Sequence, residues 1–198
     1  MTKQAWNILV VLLAILAASC TSSSPPVHYY SLEPALISPQ PDLAGATIVG
    51  LGPLRIPDYL KRSQMVTRIS VAEVKLDDFA RWAEPLDQAI HSVVASNIDK
   101  RLADVIVLAY PYIAGLEIDY FVVGRIDRFD LDETGTVVLE IQWGLIDDER
   151  NMLVEPRRTR YQVTVGKSGD RDAAVKAMNE ALEQLSNDIS GKLLAKLQ

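Results

Sequence analysis

Val137-Val138-Leu139-Glu140-Ile141-Gln142-Trp143-Gly144-Leu145 sets the large side chains Val137, Leu139, Ile141, Trp143 and Leu145 at every second position. A period of two puts those five on one face of a half-buried β-strand. Tyr120, Val122, Gly124 and Ile126 repeat the pattern on one side of it, and Thr159, Tyr161, Val163 and Val165 on the other. The runs are separated by Asp132-Glu133-Thr134-Gly135 and by Asp147-Asp148-Glu149-Arg150-Asn151, whose residue types favour turns. Residues 117–165 therefore predict a three-stranded antiparallel meander with one face that must be covered.

The cover is legible on both flanks. Glu84-Pro85 opens a helix, because proline fits a first helical turn and an acid suits the positive end of the helix dipole. Leu86, Ile90, Val93, Val94, Ile98 and Leu102 follow at spacings of three and four, forming one apolar face. Asp170 to Leu197 predicts a second, longer helix, with Ala174, Met178, Ala181, Leu185, Ile189 and Leu193 on its buried side and Val175 and Leu182 widening the stripe. Short strands precede and join these elements: His28 to Leu32, Thr47 to Ile56 with Gly50, Gly52 and Pro53 interrupting it, and one or two more within Met65 to Val74. Val105-Ile106-Val107-Leu108-Ala109 is a continuous apolar run, expected to be covered on both sides. The fold class is α+β: a mixed, largely antiparallel sheet with two amphipathic helices packed on it.

The amino terminus is of another kind. Met1 and Lys3 make a short positive region, Ile8 to Ala18 an apolar run, and Ala17-Ala18-Ser19 a small-residue approach to Cys20, the only cysteine of the chain. The run falls short of the roughly 20 apolar residues needed to cross a bilayer. This is the layout of a bacterial lipoprotein signal peptide, although Ala17 stands where leucine is commonest. Residues 1–19 are expected to be removed, and Cys20 to carry a diacylglycerol and an N-acyl chain, enough lipid for stable anchoring. Residues 20–26, Cys-Thr-Ser-Ser-Ser-Pro-Pro, form a solvated tether, and 27–198 a single domain. Thr21 follows the cysteine rather than the aspartate that holds lipoproteins in the inner membrane, so the expected location is the outer membrane, facing the periplasm.

Without Lys3 the chain carries 19 basic and 26 acidic side chains, a net charge of −7. Such a balance gives no footprint for nucleic acid. With one cysteine, already lipidated, no internal disulfide is available, so stability must come from packing. His28 and His91 have no metal-ligand spacing, and there is neither a Gly-x-Ser-x-Gly elbow nor a Gly-rich phosphate loop followed by lysine. The acids Asp77-Asp78, Asp127, Asp130, Asp132-Glu133 and Asp147-Asp148-Glu149 would have to supply any glycosidase pair, but most fall in predicted turns. Arg157-Arg158-x-Arg160 reads as the wet face of a strand, with anionic lipid or a partner's acids as the alternative. No catalytic residue, metal or cofactor is assigned.

Two stretches stand out from this quiet background. Leu54-Arg55-Ile56-Pro57-Asp58-Tyr59-Leu60-Lys61-Arg62 mixes proline, tyrosine and leucine at a strand end, and Phe79-Ala80-Arg81-Trp82 precedes the first helix. Tyr59 capping the core and Trp82 stapling the helix start is the plain reading. Tyr59, Leu60, Arg62 and Trp82 as contacts for another protein is the alternative, because aromatic and arginine side chains dominate such surfaces.

Those stretches also carry a resemblance. Tyr29-Tyr30-x-Leu32 soon after the cysteine, Ile56-Pro-x-Tyr59-Leu60 with Arg62, and Trp82-Ala83-Glu84-Pro85-Leu86 opening a helix resemble the PqiC-type, or ABC-type transport auxiliary, lipoproteins. The resemblance implies a non-catalytic adaptor at the outer membrane. Its partners would be an MCE-domain protein of the PqiB type and, indirectly, inner-membrane components that move lipid between the membranes, with self-association compatible with that role. Two other readings stand beside it: a lipid carrier with its own apolar cavity, and a periplasmic hydrolase.

Overall fold

The computed structural model describes residues 3, 4, 6, 24–33, 45–102, 104–113, 115–166 and 169–197. Cys20, with most of the leader, part of the tether and most of the 34–45 connection, lies outside the described residues. The elements run β1 His28–Tyr30, β2 Thr47–Arg55, a 3-10 turn Asp58–Leu60, β3 Gln64–Arg68, β4 Val74–Trp82 and α1 Leu86–Asp99. They continue with β5 Val105–Ala109, β6 Tyr120–Asp132, β7 Thr136–Asp147, β8 Met152–Thr164 and α2 Arg171–Leu197.

β6 organises the sheet. One of its edges carries β7 antiparallel from Tyr120 to Leu131, and β8 continues outward from β7. The other edge is shared, end to end, by two parallel strands: β2 beside Val49–Arg55's partners Tyr120–Arg125, and β3 beside Leu131 and Asp132. β5 extends the sheet beyond β2, while β4 and then β1 extend it beyond β3. The sheet is therefore mixed, and the antiparallel ladders of the predicted meander are its longest.

Both helices lie on the same face and touch each other, α1 over β2 and β5, α2 over β6, β7 and β8. Val122, Ile126, Phe129, Leu139, Ile141 and Leu145 meet Ile90, Val94, Leu182, Leu185 and Ile189 there, each with no exposed surface. At about 1.5–3 kcal/mol per buried large aliphatic side chain, this layer is the main source of stability. α1 starts one residue later than Pro85 and ends before Leu102, which is nonetheless 7% exposed. In α2, Ser186 and Ser190 are buried without cost to the core, because each hydroxyl donates to the carbonyl four residues earlier.

Two readings change. β4 runs through to Trp82, so Phe79-Ala80-Arg81-Trp82 is strand and not a lead-in to the helix. The acids hid it: Asp77 Oδ1 accepts the N–H groups of Phe79 and Ala80 inside a bulge opposite Gln64 and Met65, which satisfies backbone donors that the ladder leaves free. β6 also outlasts its visible alternation. A bulge between Ile126 and Arg128 shifts the parity by one residue, so Phe129 and Leu131, not the residues two and four after Ile126, return to the core.

Candidate functional site

Between Arg125 and Leu131 the shared edge of β6 has neither β2 nor β3 beside it, and the chain crosses this gap through Ile56 to Ser63. Ahead of the crossing β2 is disturbed at Gly52, whose φ of 112° belongs to the left-handed region and whose Cβ, were there one, would sit 2.7 Å from Tyr110 Cβ. The strand is displaced there, between Leu51 and Leu54. His91, on α1 and 4% exposed, repairs the break: its Nε2 accepts the Leu54 N–H at 2.8 Å. Accepting with Nε2 fixes the neutral tautomer. Burial holds the imidazole below its ordinary pKa, with Asp87 pulling weakly the other way. Tyr110, Tyr112 and Phe121 continue from His91 as a row of ring contacts at 5.6 to 6.1 Å.

The crossing is held down by Asp130. This carboxylate, with no exposed side-chain surface, accepts from Tyr59 Oη at 2.9 Å, from Arg68 Nε and Nη2 at 3.1 and 2.9 Å, and from Arg128 Nε at 2.7 Å. Arg68 also lies over the Tyr59 ring, 5.4 Å from its centre. Burial and then the Asp130 charge push the Tyr59 hydroxyl up to about 12, so it remains a donor. Arg128 Nη2 is buried without a hydrogen-bond acceptor and faces Asp132 at 3.8 Å. Asp130 sits on a strand, not in a turn, and the sequence analysis, which names Asp130 and Tyr59 separately, joins neither to the other nor to Arg68 and Arg128. The one available signal was an acid two residues from Arg128 within an otherwise strand-like run.

Of the four contact candidates, Leu60 is 2% and Trp82 6% exposed, so both are spent on the core. Tyr59 is half-buried and its hydroxyl is committed to Asp130, and of the four Arg62 alone is exposed. What the four residues do is shape a surface. A cavity of about 390 Å³ lies between Lys61-Arg62-Ser63 and Ala83-Glu84-Pro85, over the edge of Trp82. Lys61 and Asp87 also line a larger groove of about 820 Å³, floored by Leu54, Ile56, His91 and Ile126 and rimmed by Arg55, Arg125 and Asp127. An apolar floor with a mixed charged rim suits a protein segment or a polar headgroup. It offers no aligned nucleophile and base, and among the described residues no group of three or more His, Cys, Asp or Glu converges as metal ligands.

Residues 30–190 match the family described as the ABC-type transport auxiliary lipoprotein component. The chain is 24% identical over 151 residues to the intermembrane transport lipoprotein PqiC of Escherichia coli K12, covering 76% of this chain and 79% of that one. Among solved structures, an uncharacterised protein superposes with a TM-score of 0.70 at 20% identity, over 85% of this chain and 99% of the other. Protein XCC0632 from Xanthomonas campestris does so with a TM-score of 0.66 at 17% identity, over 85% and 95%. These two likenesses establish that the fold recurs. The family match spans β2 to β8, α1 and most of α2, and on it this chain belongs to the ABC-type transport auxiliary lipoprotein components.

Proposed function

We propose that the chain is a non-catalytic adaptor, anchored by lipid on Cys20 to the periplasmic face of the outer membrane. There it serves a system that moves lipid between the inner and outer membranes. The match to the auxiliary-lipoprotein family over residues 30–190 carries this reading, and the similarity to a lipoprotein named for intermembrane transport supports it. The partner of choice is an MCE-domain protein of the PqiB type, with inner-membrane components engaged through it. Its docking point would be the groove around Lys61, Arg62 and Asp87, the accessible part of the surface that Tyr59, Leu60 and Trp82 build from beneath. A carrier role has less support, because the space between sheet and helices is occupied by Phe129, Leu139, Ile141, Leu182 and Leu185.

Deletion of the gene, scored for detergent sensitivity and for co-purification of an MCE-domain protein, tests the reading. Wild type is expected to restore both, Cys20→Ser to restore neither, and Lys61→Glu with Arg62→Glu to lose co-purification while the protein stays folded. Full rescue by Cys20→Ser would overturn the anchored adaptor, and stoichiometric phospholipid extracted from the soluble domain would favour the carrier.

A further inference from the structure

β8 closes its side of the sheet. It pairs with β7 along one edge, and among the described residues no strand pairs with the other. At 13 residues it is long for an edge strand, and an unpaired edge is a template for another chain. Its first half is spoiled for that purpose by Pro156 and by register breaks opposite Trp143, Leu145 and Ile146. From Arg157 to Thr164 the ladder with β7 is unbroken.

Where the two halves of β8 meet, α2 leaves a cleft of about 670 Å³ that runs from Leu153 and Val154 past Arg157 to Thr159 and is lined by Trp143 and by the cations Arg157, Lys192 and Lys196. None of the three cations has an ion-pair partner among the described residues. Two acids share the lining, Glu155 and Asp188, and Asp188 is occupied by the Tyr161 hydroxyl at 2.7 Å. On the opposite face of the same strand, Arg158 and Arg160 reach Asp127 and Glu140 only at 3.6 and 3.4 Å and remain half or more exposed. An added strand would thus meet positive charge on both of its faces, on a chain whose net charge is −6. Basic or neutral segments gain little from that setting, and acidic ones gain on both sides.

We propose that the outer edge of β8, from Arg157 to Thr164, captures an extended acidic segment of a partner protein as an additional strand. Main-chain hydrogen bonds would hold it, apolar side chains would enter the cleft beside Trp143, and carboxylates would meet Arg157, Lys192 and Lys196. This deepens the adaptor reading and rests on it for why a partner exists. The experiment reads the edge alone, so its failure leaves the transport assignment to be judged by the deletion phenotype.

The full lipoprotein in detergent is titrated with a short peptide alternating glutamate and valine, and with its lysine-valine counterpart, while amide exchange is followed. The acidic peptide is expected to bind and to slow exchange within Arg157–Thr164, and the basic one to do neither. Lys192→Glu with Lys196→Glu, both at exposed positions, should weaken binding by roughly tenfold or more, with a thermal melt of the variant checking that the fold is retained. Equal binding of the two peptides, or binding without protection of β8, would overturn the proposal. So would protection that rises with protein concentration alone, because the edge would then join copies of the chain.

Discussion

The two faces of the sheet solve different problems with the same alternation. On the face beneath the helices, every second residue of β7 from Val137 to Leu145 is apolar and buried, and stability grows with area. On the other face the alternate residues Glu140 and Gln142 look towards β6 and β8 partners that are largely arginine: Arg125, Arg128, Arg158 and Arg160. Most ion pairs there are exposed and contribute little individually. The exception is Asp130, which pairs across the ladder with Val138, itself fully buried, and gathers two arginines and a tyrosine around a carboxylate with no exposed surface. The difference teaches that charge on this sheet is decorative where solvent reaches it and decisive at the single point where it does not.

Substitutions can break that comparison. Asp130→Ala takes the buried counter-ion from the partly buried Arg68 and Arg128, leaving Arg128 only the distant Asp132, and is expected to cost about 3–5 kcal/mol in urea unfolding, as much as any core truncation. A loss below about 1 kcal/mol would mean that the cluster is solvated after all. Leu139→Ala, in the helix-covered layer, should cost about 2–5 kcal/mol by removing packed volume. Tyr59→Phe keeps the ring and deletes one donor to a carboxylate that retains its arginines, so about 1–2 kcal/mol is expected. Arg160→Ala at the exposed end of the scale should change stability by less than about 1 kcal/mol, and the effect should vanish in high salt.

His91 sharpens the comparison with a proton. Its folded pKa lies below the ordinary value of 6.5 because burial favours the neutral ring that accepts the Leu54 N–H. The unfolded chain binds a proton below pH 6.5 that the folded chain refuses, so the contribution is present above that pH and is lost as pH falls towards the folded value. The slope contributed by this one group reaches at most about 1.4 kcal/mol per pH unit. His91→Gln, which keeps an acceptor without the titration, should flatten the stability profile just below pH 6.5. An unchanged slope would show that other groups set it.

Much of the fold was legible because its signals are local. The meander and both helices follow from periodicity, and β5 from its continuous apolar run, which is buried from Val105 to Val107 and half-buried at Leu108 and Ala109. The misses share a cause. β4 and the end of β6 both contain bulges, and one extra residue inverts the parity on which pattern reading depends. The candidate site was half legible. Leu54 to Arg62 and the approach to Trp82 were singled out by residue type, yet type alone does not separate a side chain that faces a partner from one that faces the core. Burial assigns Leu60 and Trp82 to the core and leaves Arg62 outside.

By itself, then, the amino-acid order determined the α+β class, the two covering helices, the expectation of a lipid anchor at Cys20 and the family resemblance. All of these rest on contacts or signals between residues near in sequence. Only the tertiary structure decided that β2 and β3 share one edge of β6, that the gap between them is bridged by a crossing held down on Asp130, and that β8 ends the sheet unpaired. Those features join residues some 60 to 70 positions apart, such as Tyr59, Arg68 and Asp130. No local period records such a meeting, because it is chosen by which strands can pair and bury together and not by the preferences of either segment.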